Sequence, residues 1–219
     1  MQDGKERRVA VVTGAASGIG WAIGQRLAKD GLQVVLLDRS PSVMERVEEL
    51  EREGQRATGV VADLSELASV PAVAQSVLAD VGRCDVLVNN AGTHIKHPDG
   101  SRFRFEDVTL REWDLSIALH MTAPMLLGQA FLPGMKARGW GRVIDISSRT
   151  ARTFAMQSSA FYAASKAGNI SLMRTIAGEY APFGITCNAI APGRIETPLT
   201  ALDGAAFNTA SLARLAVGG

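Results

Sequence analysis

The sequence predicts an α/β fold, a doubly wound parallel sheet with helices on both faces, and two observations lead to this prediction. Short apolar, β-branched runs alternate with longer helical patterns along most of the 219 residues. The runs are continuously apolar, which is typical of strands buried on both faces of a parallel sheet. Connections of helix length between such strands place helices on both sides of the sheet.

Six strands and five helices follow from this pattern. The predicted strands are residues 9–13, 34–38, 58–61, 86–89, 142–147 and 186–191. The predicted helices are residues 19–30, 42–53, 69–81, 110–136 and 160–181. Neither a repeat nor a linker interrupts the series, so residues 1–219 are predicted to form a single domain. No seventh strand is visible in the loosely helical segment 201–216.

Composition excludes several classes of function. A net charge of +1, with scattered basic residues, gives no electrostatic basis for binding nucleic acid. No apolar stretch approaches the roughly 18 residues that span a membrane, and residues 1–8 lack a signal-peptide pattern. Cys84 and Cys187 are far apart and have no other potential metal ligands at suitable spacing, which favours two free thiols in a reducing compartment. We therefore expect a soluble, cytoplasmic protein without a metal site, acting on a small molecule.

A glycine-rich turn links the first predicted strand to the first helix. It reads Thr13-Gly14-Ala15-Ala16-Ser17-Gly18-Ile19-Gly20. Glycines allow a tight turn and a close approach of backbone to ligand, and the helix N-terminus attracts a pyrophosphate. A P-loop is excluded because no Lys-Ser or Lys-Thr follows Gly18. The turn predicts a dinucleotide site, with contacts from Gly14, Ser17, Gly18, Ile19 and Gly20.

The second strand ends at Asp38, which bears on the choice of cofactor. A carboxylate here can accept hydrogen bonds from the adenosine ribose hydroxyls and repels a 2′-phosphate. Arg39 would offset part of that repulsion, but Ala15 supplies no second cation. Asp38 and Arg39 are therefore predicted cofactor contacts, and NAD is favoured over NADP.

Five motifs together resemble those of the short-chain dehydrogenase/reductase family. They are the glycine turn, Asn89-Asn90-Ala91-Gly92, Ser147-Ser148, Tyr162-x-x-x-Lys166 and Pro192-Gly193. The match covers about residues 8–200, and five motifs in register are far more specific than any one alone. The resemblance implies a single-domain Rossmann-type fold, a nicotinamide cofactor and the interconversion of a secondary alcohol and a ketone.

The resemblance implies further contacts with the cofactor. Asp63, with Leu64 beside it, resembles the residue that contacts the adenine. The segment that includes Asn90, Ala91 and Gly92 resembles one that braces the central sheet beside the cofactor. The stretch along the nicotinamide and its carboxamide would consist of Pro192, Gly193, Ile195 and Thr197.

Tyr162 and Lys166 suit acid–base chemistry at a carbinol carbon. Hydride leaves such a carbon only as the hydroxyl proton is removed, and the ordinary tyrosine pKa of about 10 is too high for that task. Lys166 lies one helical turn further along the same face, and its positive charge favours the phenolate. We therefore expect Lys166 to lower the pKa of Tyr162 and to hold the nicotinamide ribose hydroxyls.

Ser148 is the third expected catalytic residue. It closes the fifth strand, and its hydroxyl is expected to steady the substrate oxygen. Ser147 is the alternative, but the second serine of the pair is the one that matches the family.

His120 departs from the family pattern. The stretch that begins at Trp113 usually ends in asparagine, whose place in the helix helps to hold a water between the active-site lysine and solvent. An imidazole, with an ordinary pKa of about 6.5, could pass protons itself. Our hypothesis is an altered proton relay through His120, and the alternative is a packed histidine with little catalytic effect.

The chain also stops before the family's last helix and strand. Either the protein is naturally short or the sequence is part of a longer gene product. In the first case the sheet lacks its last strand, and residues 201–215 would be the remains of a substrate lid.

The substrate and the oligomer are less sharply defined. The expected pocket walls are residues 94–104, 148–157 and 194–206, with six basic side chains: Lys96, His97, Arg102, Arg149, Arg152 and Arg194. These cations hint at a sugar acid or a polyol, although solvated surface cations explain them equally well. By the resemblance, the helices at 110–136 and 160–181 imply a homodimer or homotetramer.

Two rival functions stay open. A non-catalytic NAD-binding scaffold or redox sensor would bind NAD without turnover. An epimerase or dehydratase is less favoured, because such enzymes usually need a longer substrate domain than this chain can hold.

Overall fold

A six-stranded parallel sheet lies at the centre of the chain. In this computed structural model, which describes residues 7–201, the strands are β1 (Val9–Thr13), β2 (Gln33–Asp38), β3 (Ala57–Val61), β4 (Val86–Asn89), β5 (Gly141–Ile146) and β6 (Ile185–Ile190). Their order is β3-β2-β1-β4-β5-β6, and every neighbouring pair is parallel. The order reverses direction at β1, so crossovers on its two sides lie on opposite faces. The predicted doubly wound sheet is confirmed.

Helices cover both faces of this sheet. They are α1 (Gly18–Lys29), α2 (Val43–Arg52), α3 (Val70–Val81), α4 (Leu110–Ile117), α5 (Ala123–Arg138), α6 (Ala160–Tyr180) and α7 (Pro198–Ala201). One core contains Val43 and Leu50 of α2 against Val34 and Leu36 of β2. The other core contains side chains of α3, α5 and α6, including Phe131. Two separate cores follow from strands that are apolar on both sides.

The predicted helix over residues 110–136 is interrupted in the structure. Thr109 and Glu112 form a capping box at the start of α4, which ends at Ile117. A π-helical turn, Ala118–Thr122, then leads into α5. Pro124 in the first turn of α5 has no N–H to donate to the carbonyl four residues earlier, which favours such a local widening. The prediction of one uniform α-helix was wrong here.

One helical run of the described chain has the length and apolar composition of a membrane span. It covers Leu110–Arg138, whereas the sequence analysis expected no such stretch. Its α5 part packs against α3 and against β4 and β5. A helix that covers the core of a sheet can have the same length and apolar composition, so a single helix of this kind is weak evidence for a membrane.

The C-terminal expectations fall outside this structure. The loosely helical tail, the lid over residues 201–215 and the question of a last strand concern residues beyond 201, which are not among the described residues.

Candidate active site

A cleft of about 470 Å³ lies at the carboxyl ends of the strands, where ligands bind in open α/β sheets. It brings together residues from both halves of the chain. The predicted site residues that line it are Gly14, Ser17, Gly18, Ile19, Asp38, Arg39, Asn90, Gly92, His120, Ser148, Tyr162, Lys166, Pro192, Gly193, Ile195 and Thr197. Distant motifs thus share one cavity.

The glycine turn allows a tight backbone path at the edge of this cleft. Gly14 and Gly18 have φ angles of 65° and 57°, in the left-handed region that favours glycine. Gly20 does not line the cleft; a Cβ there would lie 2.1 Å from the Gly14 carbonyl oxygen and 2.4 Å from Asn90 Nδ2. Gly20 therefore lets α1 begin directly against the turn, and its role is indirect.

Thr13 and Asn90 join the turn to the end of β4. Thr13 Oγ1 accepts hydrogen bonds from the backbone N–H groups of Asn90 (3.0 Å) and Ala91 (2.9 Å). Asn90 Nδ2 donates to the carbonyl oxygens of Thr13 and Gly14, at 2.9 and 3.1 Å. These bonds fix the turn on the sheet. Thr13 belongs to the glycine-turn motif but was not among the predicted site residues.

Asp38 ends β2 beside the glycine turn. Its Oδ2 accepts from the Ala16 N–H at 3.0 Å, and its Oδ1 accepts from the Ser40 N–H at 2.9 Å. Both Asp38 and Arg39 line the cleft. The carboxylate is therefore held in place by backbone donors at the mouth of the cavity.

A smaller pocket of about 110 Å³ adjoins the same turn and contains Asp63, Leu64 and Ala91. Partial burial raises the pKa of Asp63, but hydrogen bonds from Ser65 and the charge of Arg39 outweigh it and leave the pKa below its usual value. Asp63 is thus an anion with one oxygen already bonded to Ser65.

The segment after β6 closes the cleft from the other side. The Arg149 N–H donates to the Pro192 carbonyl at 3.0 Å. Thr197 faces the glycine turn, 3.3 Å from a Cβ built on Gly18. Its backbone N–H donates to Thr200 Oγ1 at 2.9 Å. Thr93 and Ile146 also line the cleft and were not predicted, since they belong to no recognised motif, whereas Pro198 and Thr200 lie within the expected wall 194–206.

Tyr162 and Lys166 project from α6 into the cleft. Lys166 Nζ lies 5.9 Å from the centre of the Tyr162 ring and donates to the Ile146 carbonyl at 2.7 Å. Burial raises the pKa of Tyr162, and a hydrogen bond with Ser148 opposes that rise. The expected lowering of this pKa by Lys166 is not found in the protein alone, because desolvation of the phenolate dominates.

Ser148 and Ser147 have different partners. Ser147 Oγ donates to the Lys166 carbonyl at 2.7 Å, which ties β5 to α6. Ser148 hydrogen bonds with Tyr162 and accepts from Thr150 Oγ1 at 3.0 Å. This difference favours Ser148 as the serine that meets a substrate.

His120 is buried on the π-helical turn, and both ring nitrogens have protein partners. Nε2 accepts from the Thr93 N–H at 3.1 Å, so the proton resides on Nδ1, which lies 2.9 Å from Ser165 Oγ. Burial and the charge of Lys166 hold its pKa well below the usual value. A neutral, fully engaged imidazole matches the packed alternative, and the relay hypothesis gains no support from this geometry.

His94, on the loop after β4, stacks on Tyr162 with ring centres 4.6 Å apart. Burial, with the charges of Lys96 and Arg194, lowers its pKa to about 4. From the sequence, His94 was expected only as part of a pocket wall. No motif signals its contact with Tyr162, because the loop has no regular pattern.

The six basic side chains of the expected pocket walls do not gather in the cleft. Lys96, His97 and Arg102 line a separate depression of about 540 Å³, and Arg152 lines another. Burial lowers the pKa of Lys96 and the charge of Arg194 lowers it further, so these two cations interact. Of these six side chains, Lys96 and Arg194 therefore act beside His94 from outside the described lining of the cleft, whose own cations are Arg39 and Lys166.

Comparison with known proteins agrees with this geometry. The family model described as short chain dehydrogenase matches residues 8–206. The chain is 38% identical over 192 residues to Oxidoreductase UcpA of Escherichia coli (strain K12), covering 88% of this chain and 71% of the relative.

Two solved structures are also similar. L-Sorbose reductase from Gluconobacter frateurii, complexed with NADPH and L-sorbose, is 34% identical with a TM-score of 0.81, covering 90% of this chain and 73% of the other. A 3-oxoacyl-(acyl-carrier protein) reductase with bound NAD from Brucella melitensis is 33% identical with a TM-score of 0.82, covering 89% and 73%.

Proposed function

Because the chain belongs to the short-chain dehydrogenase/reductase family, we propose that it interconverts a secondary alcohol and a ketone by hydride transfer to or from NAD(H). Tyr162 is the acid/base, Lys166 supports its ionisation and holds the cofactor ribose, and Ser148 positions the substrate oxygen. One observation carries this proposal: the three side chains share a cleft with the glycine turn.

The residues of the cleft fit a dinucleotide. Gly14 and Gly18 give a turn whose backbone a ligand can approach, and α1 begins at this turn, with Gly18 and Ile19 in the lining of the cleft, so its N-terminus would attract a pyrophosphate. Asp38 and Arg39 would meet the adenosine ribose, and Asp63 and Leu64 would flank the adenine. A bound nicotinamide supplies the acceptor or donor of hydride.

The protein's own residues would then move the proton. The Tyr162 hydroxyl takes the proton from the substrate alcohol in oxidation and returns it in reduction. Its phenolate needs positive charge nearby, since burial raises its pKa, and the Lys166 ammonium is held close by the Ile146 carbonyl. The Ser148 hydroxyl, already bonded to Tyr162, would hold the substrate oxygen at the same point.

The test is Tyr162→Phe, with Tyr180→Phe as the matched control. The chain has two tyrosines, and Tyr180 lies at the far end of α6. We expect kcat for an alcohol substrate to fall about 10²- to 10⁴-fold in Tyr162→Phe, the range for losing a general acid–base, with NAD binding retained. The control should match the parent. NAD binding without turnover of any alcohol by the parent protein would favour the scaffold alternative.

For the cofactor, we propose NAD over NADP. The Asp38 carboxylate is fixed by two backbone donors beside the expected ribose, where it would repel a 2′-phosphate. Asp38→Asn should tighten NADP binding about tenfold, which corresponds to roughly 1.4 kcal/mol, with a smaller change for NAD. Asp30→Asn, which removes an exposed carboxylate, is the control. Tighter binding of NADP than NAD by the parent, measured calorimetrically, would contradict the proposal.

For the substrate, we propose a polyol or a sugar acid. Arg194 and Lys96 act electrostatically on His94, which stacks on Tyr162, so positive charge lies near the expected reacting carbon. If the substrate is anionic, its KM should rise with ionic strength and should rise further in Lys96→Gln. A KM that is independent of salt would favour a neutral polyol.

For the assembly, we propose a homodimer or homotetramer. Leu110 and Trp113 on α4 and Met125 on α5 are exposed apolar side chains on consecutive helices. Trp113→Glu with Met125→Glu should lower the molar mass measured by light scattering to that of a smaller species. A parent protein that is monomeric at micromolar concentration would contradict this proposal.

A further inference from the structure

Polar side chains are buried together between the sheet and α6, below the cleft. Asp145 on β5 and Asn89 on β4 are register partners, so their side chains leave the same face of the sheet. Asn169 lies on α6, three residues after Lys166. Asp145 and Asn169 are each 1% exposed, and Asn89 is 4% exposed. An acid in this position is unexpected, because the rest of β5 reads as an ordinary core strand.

Lys166 lies directly against the strand segment that carries Asp145. Its Nζ donates to the carbonyl of Ile146, the next residue along β5. Lys166 is itself only 5% exposed. A buried ammonium and a buried carboxylate are each costly alone, and each stabilises the charged form of the other when both are present.

The two groups act on each other through space, without a direct ion pair. Asp145 Oδ2 has no hydrogen-bond partner among the residues that the structure describes, so the carboxylate is not neutralised by a local donor at that oxygen. Burial raises the pKa of Asp145 to about 7, and Lys166 opposes the rise. Burial lowers the pKa of Lys166 to about 8, and Asp145 opposes the fall.

The other ionisable groups that face this pair supply no negative charge near neutral pH. Tyr162, on the same helix, has a raised pKa. His120, from the π-helical turn, is neutral, and so is His94 with its pKa of about 4. Cys187, on the neighbouring strand β6, has a pKa raised to about 11 and stays a thiol. In the described part of the chain, Asp145 is therefore the anion that acts on Lys166.

We propose that Asp145 is the counter-charge that keeps the buried Lys166 ammonium ionised, and that it is thereby a positioning residue for the acid–base chemistry of Tyr162. Asp145 touches neither substrate nor cofactor in this role. The role rests on the proposed function, since it matters only if Lys166 must be cationic beside a phenolate.

The test measures the ionisation of Lys166 directly. The chain has five lysines, so their ε-carbons, labelled with ¹³C, can be followed by NMR during a pH titration, and Lys166→Arg assigns the signal. In Asp145→Asn, which keeps the shape and removes the charge, the pKa of Lys166 should fall by about one unit, the lower end of the effect of a close opposite charge. An unchanged Lys166 titration in a folded Asp145→Asn protein overturns the proposal.

Asp85→Asn is the matched control. Asp85 is also a buried carboxylate at this sheet, 1% exposed, but it lies just before β4, at the end remote from the cleft. It accepts hydrogen bonds from Arg83 at 2.7 Å and Arg138 at 3.2 Å. We expect this variant to lose thermal stability and to leave the Lys166 titration unchanged. A fall in the Lys166 pKa as large as that in Asp145→Asn would overturn the specific role of Asp145.

A reciprocal measurement serves if Asp145→Asn does not fold. In Lys166→Met the Asp145 carboxyl, followed by ¹³C NMR of labelled aspartate, should titrate at least about one unit higher than in the parent, since Lys166 is the group that lowers its pKa. An equal Asp145 pKa in both proteins overturns the proposal. Neither measurement needs turnover, so failure of the proposed function is seen separately.

The pH profile gives an independent readout. In Asp145→Asn, kcat/KM for alcohol oxidation at about pH 8 should fall about tenfold, and the difference from the parent should shrink toward about pH 6, where Asp145 itself is protonated. A reduction that is equal at all pH values would indicate a merely structural effect and would contradict the proposal.

Discussion

At the scale of single residues, His120 shows how burial decides between two chemical roles for one side chain. The family pattern suggested a proton relay at this position. In the structure, His120 Nε2 accepts a hydrogen bond from the Thr93 N–H, and Nδ1 donates one to Ser165 Oγ. Since Ser165 Oγ can in turn donate to the Tyr162 carbonyl at 3.0 Å, the imidazole links the loop after β4 to the helix that carries Tyr162.

We predict that His120→Asn lowers stability without moving the ionisations that govern turnover. The shorter amide cannot reach both partners, and leaving a buried donor or acceptor unpaired costs about 1–3 kcal/mol. Denaturant unfolding should show this loss, whereas the midpoints of the pH–rate profile should coincide with those of the parent. His97→Asn, on the loop with His94, is the control. A shifted midpoint in His120→Asn alone would restore the relay.

At the scale of elements, the sequence was sufficient to predict a helix, strand or turn where one kind of residue dominates the segment. Each predicted strand lies within one residue of its observed bounds, because continuous apolar runs mark buried strands. The glycine turn was equally clear. The π-helical turn could not be predicted, since its residues have ordinary helical character. Its wider turn depends on the backbone hydrogen bonds near Pro124.

Two glycine substitutions on helices should have opposite effects. Gly20→Ala places a Cβ against the Gly14 carbonyl and Asn90 Nδ2, so the turn or α1 must shift. We expect a loss of about 1–3 kcal/mol in unfolding free energy, as for overpacking, together with weaker NAD binding. Gly178→Ala on α6 meets nothing within 4 Å and should gain about 0.5–1 kcal/mol from helix propensity. Thermal unfolding and NAD titration of both variants would check this, and unimpaired binding by Gly20→Ala would contradict it.

At the scale of the whole molecule, the parallel sheet and its two layers of helices were predictable, but the polar interior was not. Alternating strands and helices dictate two cores, and both are present. Which polar side chains share a buried space depends on register and helix placement. Asp145 and Lys166 are 21 positions apart in sequence, and His94 and Tyr162 are farther apart still. No local pattern contains those pairings, so the contacts around Tyr162 emerge only from the assembled fold.

The partly buried His94 should make the molecule sensitive to acid. His94 has a pKa of about 4 in the fold and about 6.5 when unfolded, so the unfolded chain binds its proton first. The stability from this group is present above about pH 6.5 and is lost as the pH falls toward 4. Asp145 contributes to stability with the opposite sign. Its pKa is raised to about 7, so the folded protein binds this proton before the unfolded chain does, and protonation of Asp145 stabilises the fold as the pH falls below about 7.

His94→Phe isolates the histidine contribution. The variant keeps an aromatic ring against Tyr162 but cannot titrate, and the Asp145 contribution is common to both proteins. We expect the parent to lose up to about 3 kcal/mol more unfolding free energy than the variant between pH 6.5 and 4. Urea unfolding across that range gives the measurement, with His97→Phe as control. Parallel pH dependences of parent and His94→Phe would refute the assignment.

The π-helical turn Ala118–Thr122 makes α4 and α5 two helices that are out of phase. Successive α-helical residues are about 100° apart around the axis, so one residue accommodated in a wider turn offsets every later side chain by about that angle. A single helical wheel drawn through Leu110–Arg138 therefore misassigns the faces of one half. A one-residue deletion in the turn would leave a regular helix, and Leu127 and Phe131 would keep their places in the core. For a homologue without this turn, the alignment gap belongs at Ala118–Thr122 and not in a loop.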